Sequence, residues 1–312
     1  MIKSFDELAA ETKEKIAGHD IPKMGIIYPR GGKCVEAAVQ AADSGFIQPV
    51  LFGPENEIKK NAAAKNLDIS SFEIKNISSP DEAARKAIEA ARNGEVRFLL
   101  KGSIATRDLV EILLQPESGF TSKGKIISHI GLVDSPKYHK LMFITDAVVN
   151  AESGANVKIG IARNAAALAR KLGVESPKAA LLAAVEAIYP AVPVTMEEAA
   201  IAKMSDRGQI KDVIIDGPLS FDVAINADVA RSKGITTSKV AGDADIFVGP
   251  SMETANGVYK AMVMYAGVEA AGMIYGGEVP VASTFMVDPV ANTVNSIILG
   301  AFLAIDRELE HI

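Results

Sequence analysis

Short apolar runs, most of them bounded by glycine, proline or charged residues, alternate with segments of helical period along nearly the whole chain. Gly25-Ile-Ile-Tyr28, Pro49-Val-Leu-Phe52, Phe72-Glu-Ile74 and Arg97-Phe-Leu-Leu-Lys101 read as strands. Helices are predicted at 4–17, 34–44, 55–66, 80–92 and 107–114. A helix between two strands returns the chain to its starting edge, so the alternation predicts an α/β fold with mainly parallel, doubly wound sheets. The stretch 115–139 breaks the rhythm and holds one strand-like run, Ile126–Val133. Leu141–Thr145 then ends at Asp146. Further strands follow near 179–182, 212–216, 245–249 and 272–275, with a closing helix from about Pro289 to Glu308. Asp288 suits its N-cap and Pro289 its first turn. The expected division is two domains, 1–142 with 271–312 and 143–270.

At 312 residues the chain can bury most of its unfolded surface without staples. A net charge of −6 and a pI near 5.4 argue against a nucleic-acid surface, which needs a basic face. No apolar run approaches the length of a membrane span, so no membrane partner is expected. Cys34 is the one cysteine; with no signal-peptide pattern, this predicts a cytoplasmic protein.

Several motifs fail on inspection. Gly119-Phe-Thr-Ser-Lys-Gly-Lys-Ile126 nearly spells a phosphate-binding P-loop, but Ile126 stands where Ser or Thr should hold magnesium. No Gly-x-Gly-x-x-Gly follows a strand, and no Gly-x-Ser-x-Gly elbow occurs. The histidines His19, His129, His139 and His311 lack metal-ligand spacing, so no metal site is expected. His129 reads as structural and Cys34 as inert packing. Lys101-Gly102 sits at a strand end, where a lysine either meets solvent or an anionic ligand. The densest acidic and glycine punctuation lies between Lys203 and Asn256, and two apolar runs there, 213–215 and 246–248, each lead into Gly-Pro. Loops after strand C-termini are where open α/β sheets bind ligands. Asp216, Gly217 and Pro218, and Pro250, Glu253 and Asn256, are therefore candidate pocket residues.

With these stretches in order, the chain resembles the phosphate acetyl/butyryltransferases, the phosphate butyryltransferases (phosphotransbutyrylases) most closely. The likeness runs from Met1-Ile-Lys-Ser-Phe5 through Lys101-Gly102, Ser128-His129, Phe143-Ile-Thr-Asp146 and Glu186-x-Ile188. It is densest at Lys203–Ile210, Asp216-Gly-Pro-Leu219, Val240–Ile246 and Pro250–Lys260. The resemblance implies two α/β domains with an interdomain cleft, an architecture similar to isocitrate and isopropylmalate dehydrogenases, and a homodimer or higher homo-oligomer. It implies exchange of a short acyl group, butyryl-like, between coenzyme A and phosphate, with acyl-CoA as substrate and no cofactor. On this likeness Lys203, Ser205, Asp206, Asp146 and Gly242 join the substrate-binding candidates.

One segment departs from the family. A Thr-Ser-Arg-Ala-Asp motif there supplies a serine and a phosphate-binding arginine, whereas this chain reads Ser283-Thr284-Phe285-Met286-Val287-Asp288. Phe285 and Met286 replace the serine and arginine, and the register of the family's proposed base falls on Asn292. A second arginine loop becomes Gly119–Gly124, with Lys123 and Lys125 as its cations. Ser283, Thr284 and Asp288 are then the catalytic candidates, and Lys101, Lys123 and Lys125 the cations facing phosphate. Two activities stay open: acyl transfer to phosphate, or a diverged protein that binds CoA or acyl-CoA without using phosphate. A decarboxylating dehydrogenase would need an aspartate metal cluster, which Asp243 and Asp245, on opposite faces if extended, do not make.

Overall fold

The computed structural model describes residues 1–30, 32–152 and 154–309, so His311 lies outside the described residues. In chain order the first elements are α1 (Phe5–Ile16), β1 (Lys23–Ile27), α2 (Gly32–Asp43), β2 (Gln48–Gly53), α3 (Glu55–Ala64), β3 (Glu73–Asn76), α4 (Pro80–Arg92), β4 (Phe98–Lys101) and α5 (Thr106–Leu114). There follow β5 (Ser128–Asp134), β6 (Met142–Thr145), α6 (Ala155–Lys171), β7 (Lys178–Leu182), α7 (Pro193–Asp206), β8 (Ile214–Leu219), α8 (Phe221–Ile225) and α9 (Ala227–Ser232). The last are β9 (Ile246–Val248), α10 (Met252–Tyr265), β10 (Glu269–Tyr275), β11 (Val281–Ala282) and α11 (Val290–Leu309). Helices α4, α9 and α10 start on side-chain caps, from Ser79, Asn226 and Ser251. In α4, Ser79 caps the Glu82 amide, Pro80 opens the first turn, and Ala83, Ala84, Ala87, Ile88 and Ala91 form the buried stripe.

The chain divides into two compact units. The split unit comprises Phe5–Lys125 and the residues from Glu269 onward; the central unit comprises Met1–Ser4 and Ile126–Val268. Residues 126–142, assigned from sequence to the first domain, fall in the central unit. The cause is strand pairing: β5 lies antiparallel to β6, with Ile130 opposite Thr145 and Val133 opposite Met142.

In the split unit the strands run β3-β2-β1-β4-β11-β10, all neighbours parallel except β11 and β10. The chain leaves β1 toward β2 and later returns to place β4 on its other side. That reversal is a topological switch point, and it opens a crevice beyond the C-termini of β1 and β4. Helix α4 packs on β1, β2 and β4, while α11 packs on β10, β11 and β4 and against α1 and α2. In the central unit the order is β5-β6-β9-β7-β8, parallel from β6 onward. The alanine stripe of α6 (Ala162, Ala165, Ala166, Ala169) is fully buried and lets that helix lie close to its sheet.

Candidate functional site

A cavity of about 480 Å³ lies at the switch point of the split unit. Three loops that each follow a strand C-terminus build it. The loop after β1 and the first turn of α2 bring Lys33 and Cys34; the loop after β4 brings Lys101, Gly102, Ser103 and Ile104; the loop after β11 brings Thr284, Phe285 and Met286. Thr106, at the start of α5, and Thr293, in α11, complete its polar side.

Gly102 makes the approach of the first two loops possible. Its amide donates to the Ile27 carbonyl at 2.9 Å and the Ser103 amide to that of Tyr28 at 2.9 Å. A Cβ at Gly102 would lie 2.3 Å from the Ile27 oxygen, so only glycine fits. The third loop is a turn fixed by hydrogen bonds. The Asp288 amide donates to the Phe285 carbonyl at 3.1 Å, and the Phe285 amide donates to the Asp288 carboxylate at 2.7 Å. Asp288 thus folds its carboxylate back onto the loop. Lys33 Nζ donates to the carbonyls of Phe285, at 3.1 Å, and Asp288. The Thr284 and Thr293 hydroxyls are 3.2 Å apart, and Ser283 is buried with its amide donating to Gly272 O at 2.9 Å.

The cavity is electropositive and its lysines are partly buried. Lys101 is half-buried, and no hydrogen bond or ion pair of its ammonium is found among the described residues. Burial pulls its pKa down, with the Cys34 thiol opposing. Burial also lowers Lys33, against the attraction of Asp288. Cys34 is pushed up to about 11 by burial, so it stays a thiol at neutral pH and is no nucleophile. Met286 is 98% exposed at the tip of its turn, and Phe285 forms the apolar wall.

The remaining candidates fall elsewhere. Lys123 and Lys125 are exposed in the loop before β5, and the P-loop-like run is a turn that leads into a strand, not a helix. Asn292 is buried under β10, where its side-chain oxygen accepts from Ala270 N at 3.1 Å. In the central unit Asp146 is buried at the end of β6. Its carboxylate accepts from the amides of His129, Val148, Val149 and Asn150 at 2.9–3.2 Å, so it organises a loop. Asn256 Nδ2 reaches the Ala147 carbonyl at 2.8 Å, tying α10 to that loop; Pro250 and the exposed Glu253 lie beside it, after β9.

The Lys203–Asn256 block does not gather at one edge. Lys203, Ser205 and Asp206 end α7, which leads into β8, so they sit at the opposite edge of the parallel sheet from the β9–α10 loop. Lys203 and Asp206 pair in solvent at 3.4 Å, and the Ser205 hydroxyl accepts from Ile215 N at 3.0 Å. Gly242 precedes β9; at φ +83° it meets the backbone of Ala227 too closely for a Cβ. Asp216, Gly217 and Pro218 lie inside β8, not after it. β8 is the edge strand and its register shifts opposite Ala180–Leu182, which accommodates a proline. Asp243 and Asp245 are not extended on opposite faces: both meet Lys140 Nζ, at 2.9 and 2.6 Å. Among the described residues no group of three or more His, Cys, Asp or Glu is placed to hold a metal ion. No helix there is long and apolar enough to cross a membrane.

Sequence reasoning missed Lys33, Thr106 and Thr293. Lys33 carried a signal, since Gly31-Gly32-Lys33 follows the first strand, the first place to look in an open α/β sheet.

Comparison with known proteins follows the same lines. A family model described as phosphate acetyl/butaryl transferase matches residues 79–301. The phosphate butyryltransferase of Clostridium acetobutylicum is 35% identical over 304 residues, covering 97% of this chain and 99% of that one. The phosphate acetyltransferase of Rickettsia felis is 36% identical over 303 residues, covering 96% and 86%. Among solved structures, a branched-chain phosphotransacylase from Enterococcus faecalis superposes with a TM-score of 0.79 at 26% identity, covering 91% and 99%.

Proposed function

The chain belongs to the phosphate acetyl/butyryl transferase family, and on that premise we propose that it moves a short acyl group between coenzyme A and inorganic phosphate. Butyryl-CoA and phosphate would give butyryl phosphate and CoA: a phosphate oxygen bonds to the acyl carbon, the C–S bond breaks, and the thiolate leaves. No cofactor takes part, and acyl-CoA is a substrate. The observation that carries the site assignment is the switch-point cavity, which sets the Lys101 ammonium, without a partner among the described residues, beside the apolar side chains of Ile104 and Phe285. An acyl phosphate has the matching halves, an anionic head and a short aliphatic tail. Lys101 supports the phosphate as a point charge where a guanidinium would have gripped it bidentately.

Thr284 and Ser103 offer hydroxyls near the reacting carbonyl, and preorganised donors there lower the cost of charge on its oxygen. A CoA binder that ignores phosphate is disfavoured, because relatives named for phosphate transfer align over nearly the full chain. The family likeness also supports a homo-oligomer, and the buried lone thiol of Cys34 is compatible with a cytoplasmic setting. Butyryl-CoA with and without phosphate, followed by release of CoA thiol, tests the activity. Phosphate-dependent release is expected; its absence across short acyl-CoAs excludes the assignment.

A further inference from the structure

We infer that Lys33 is a positioning residue, whose ammonium clasps the loop carrying Thr284 and Phe285 and so sets the wall of the cavity. The inference rests on the proposed acyl-phosphate site. Lys33 and its targets are about 250 residues apart in sequence, with separations of 252 and 255. The lysine stands on the first turn of α2, after β1; the carbonyls belong to the loop after β11. No strand pairing joins β1 to β11, since β4 lies between them. The clasp therefore bridges the two outer loops of the cavity across the middle one.

The geometry of the clasp excludes a freely swinging cation. Two of the three ammonium donors are committed to backbone carbonyls. The same two residues close the turn on themselves, through Asp288 N to Phe285 O and Phe285 N to the Asp288 carboxylate. Lys33, Phe285 and Asp288 thus form one ring of hydrogen bonds. Asp288 also adds its charge to the attraction on the ammonium. Residues 286 and 287, outside this ring, are exposed. What the ring holds still is the start of the loop, Thr284 and Phe285, which line the cavity together with the exposed Met286. Lys101 has no such engagement among the described residues, so the two lysines divide the work: one shapes the pocket and the other meets the ligand.

The test compares Lys33→Met, which keeps the stem and removes the donors, with Lys33→Arg, which restores donors. Two readouts are needed on the full-length protein. Amide hydrogen exchange over 284–289 is expected to speed up in Lys33→Met and to recover in part in Lys33→Arg. Steady-state kinetics with butyryl phosphate and CoA are expected to show a KM for butyryl phosphate raised about tenfold, a loss of roughly 1.4 kcal/mol in binding. The KM for CoA should stay within about twofold of wild type, and the arginine variant should regain part of the loss.

Unchanged exchange in Lys33→Met overturns the clasp. Faster exchange with an unaltered KM for butyryl phosphate, or with all kinetic constants falling in step with the melting temperature, reduces Lys33 to a structural contact and overturns the positioning role. If the wild type itself releases no thiol with phosphate and makes none of the reverse reaction, acyl transfer is excluded and the positioning role with it. The exchange measurement then still decides whether the clasp exists, so the two failures are told apart.

Discussion

Lys101 and Gly102 are neighbours with different surroundings, a half-buried ammonium and a backbone contact, and each makes its own prediction. Lys101→Met removes the cavity's unengaged charge while keeping most of the stem. A charge-assisted hydrogen bond is worth roughly 1.5–3 kcal/mol, so kcat/KM with phosphate should fall about 10- to 150-fold. Unchanged phosphate kinetics would remove Lys101 from the site. Gly102→Ala drives a methyl into the carbonyl of Ile27, a backbone atom that cannot rotate away. Overpacking of this kind costs about 1–3 kcal/mol; a lower melting temperature is expected together with lost activity, and a melt equal to wild type would show that the loops separate freely. The strand-end position of Lys101-Gly102 was legible because the pair closes an apolar run. The place of Lys33 after the first strand was legible, but its contact with the distant carbonyls was not, since a lysine after two glycines looks like any solvated helix start until those carbonyls are in view. That Lys203–Asp206 lies at the opposite edge from the β9–α10 loop was not legible, because a polar run looks the same at either edge of a parallel sheet.

At the level of elements, α11 shows how packing overrides propensity. Gly300 lies inside this helix, where alanine is better by about 1 kcal/mol. Yet a Cβ there would lie 2.3 Å from the ring of Phe98, which is fully buried in β4. Gly300→Ala should therefore destabilise, by about 1–3 kcal/mol, and urea unfolding would read it as a lower midpoint at unchanged slope. A rise in the midpoint would mean that propensity wins. Most helices and strands could be read from period and punctuation, as in Pro80–Arg92, whose bounds are those expected. Two failures are physical. β11 is two residues long, too short to carry a period, and exists because β4 and β10 flank it. β8 runs on through Gly217-Pro218 because an edge strand needs no donor from proline on its outer side.

The whole molecule should lose stability as pH rises through neutrality, because of one buried acid. Glu198 is fully buried and neither carboxylate oxygen has a hydrogen-bond partner among the described residues; Lys158 Nζ is 3.7 Å away and lies nearer Glu197, at 2.8 Å. Burial raises its pKa to about 8, with Lys158 opposing. Between the ordinary carboxylate range and about 8 the folded state holds the extra proton. Stability linked to Glu198 is thus complete below its unfolded pKa and drains away as pH climbs through its folded one. Glu198→Gln should flatten that decline, and denaturant titrations from about pH 5 to 9 that keep the wild-type slope would refute it. Asp243 acts in the other direction. Burial works against its charge, but Lys178 and Lys140 outweigh burial and hold it well below the usual carboxylate range, so its contribution is lost only on acidification. Neither effect was visible in the sequence, where Glu198 is one of two adjacent glutamates on a helix. The α/β class was visible as alternation, whereas the grouping of 126–142 with the central unit was not, because the pairing of β5 with β6 is antiparallel and leaves no signature of its own. The split unit has a further consequence, for synthesis on the ribosome. β11 completes the flank of β4, and α11 covers β4 and packs against α1 and α2, but both are made after the central unit. At 5–20 residues per second the intervening stretch takes roughly seven to thirty seconds. During that wait the first-made strands hold an uncovered apolar face, while the central unit, continuous but for its first four residues, can close: the second part emitted is the first able to finish, and the first must be guarded from other nascent chains until the last helix arrives.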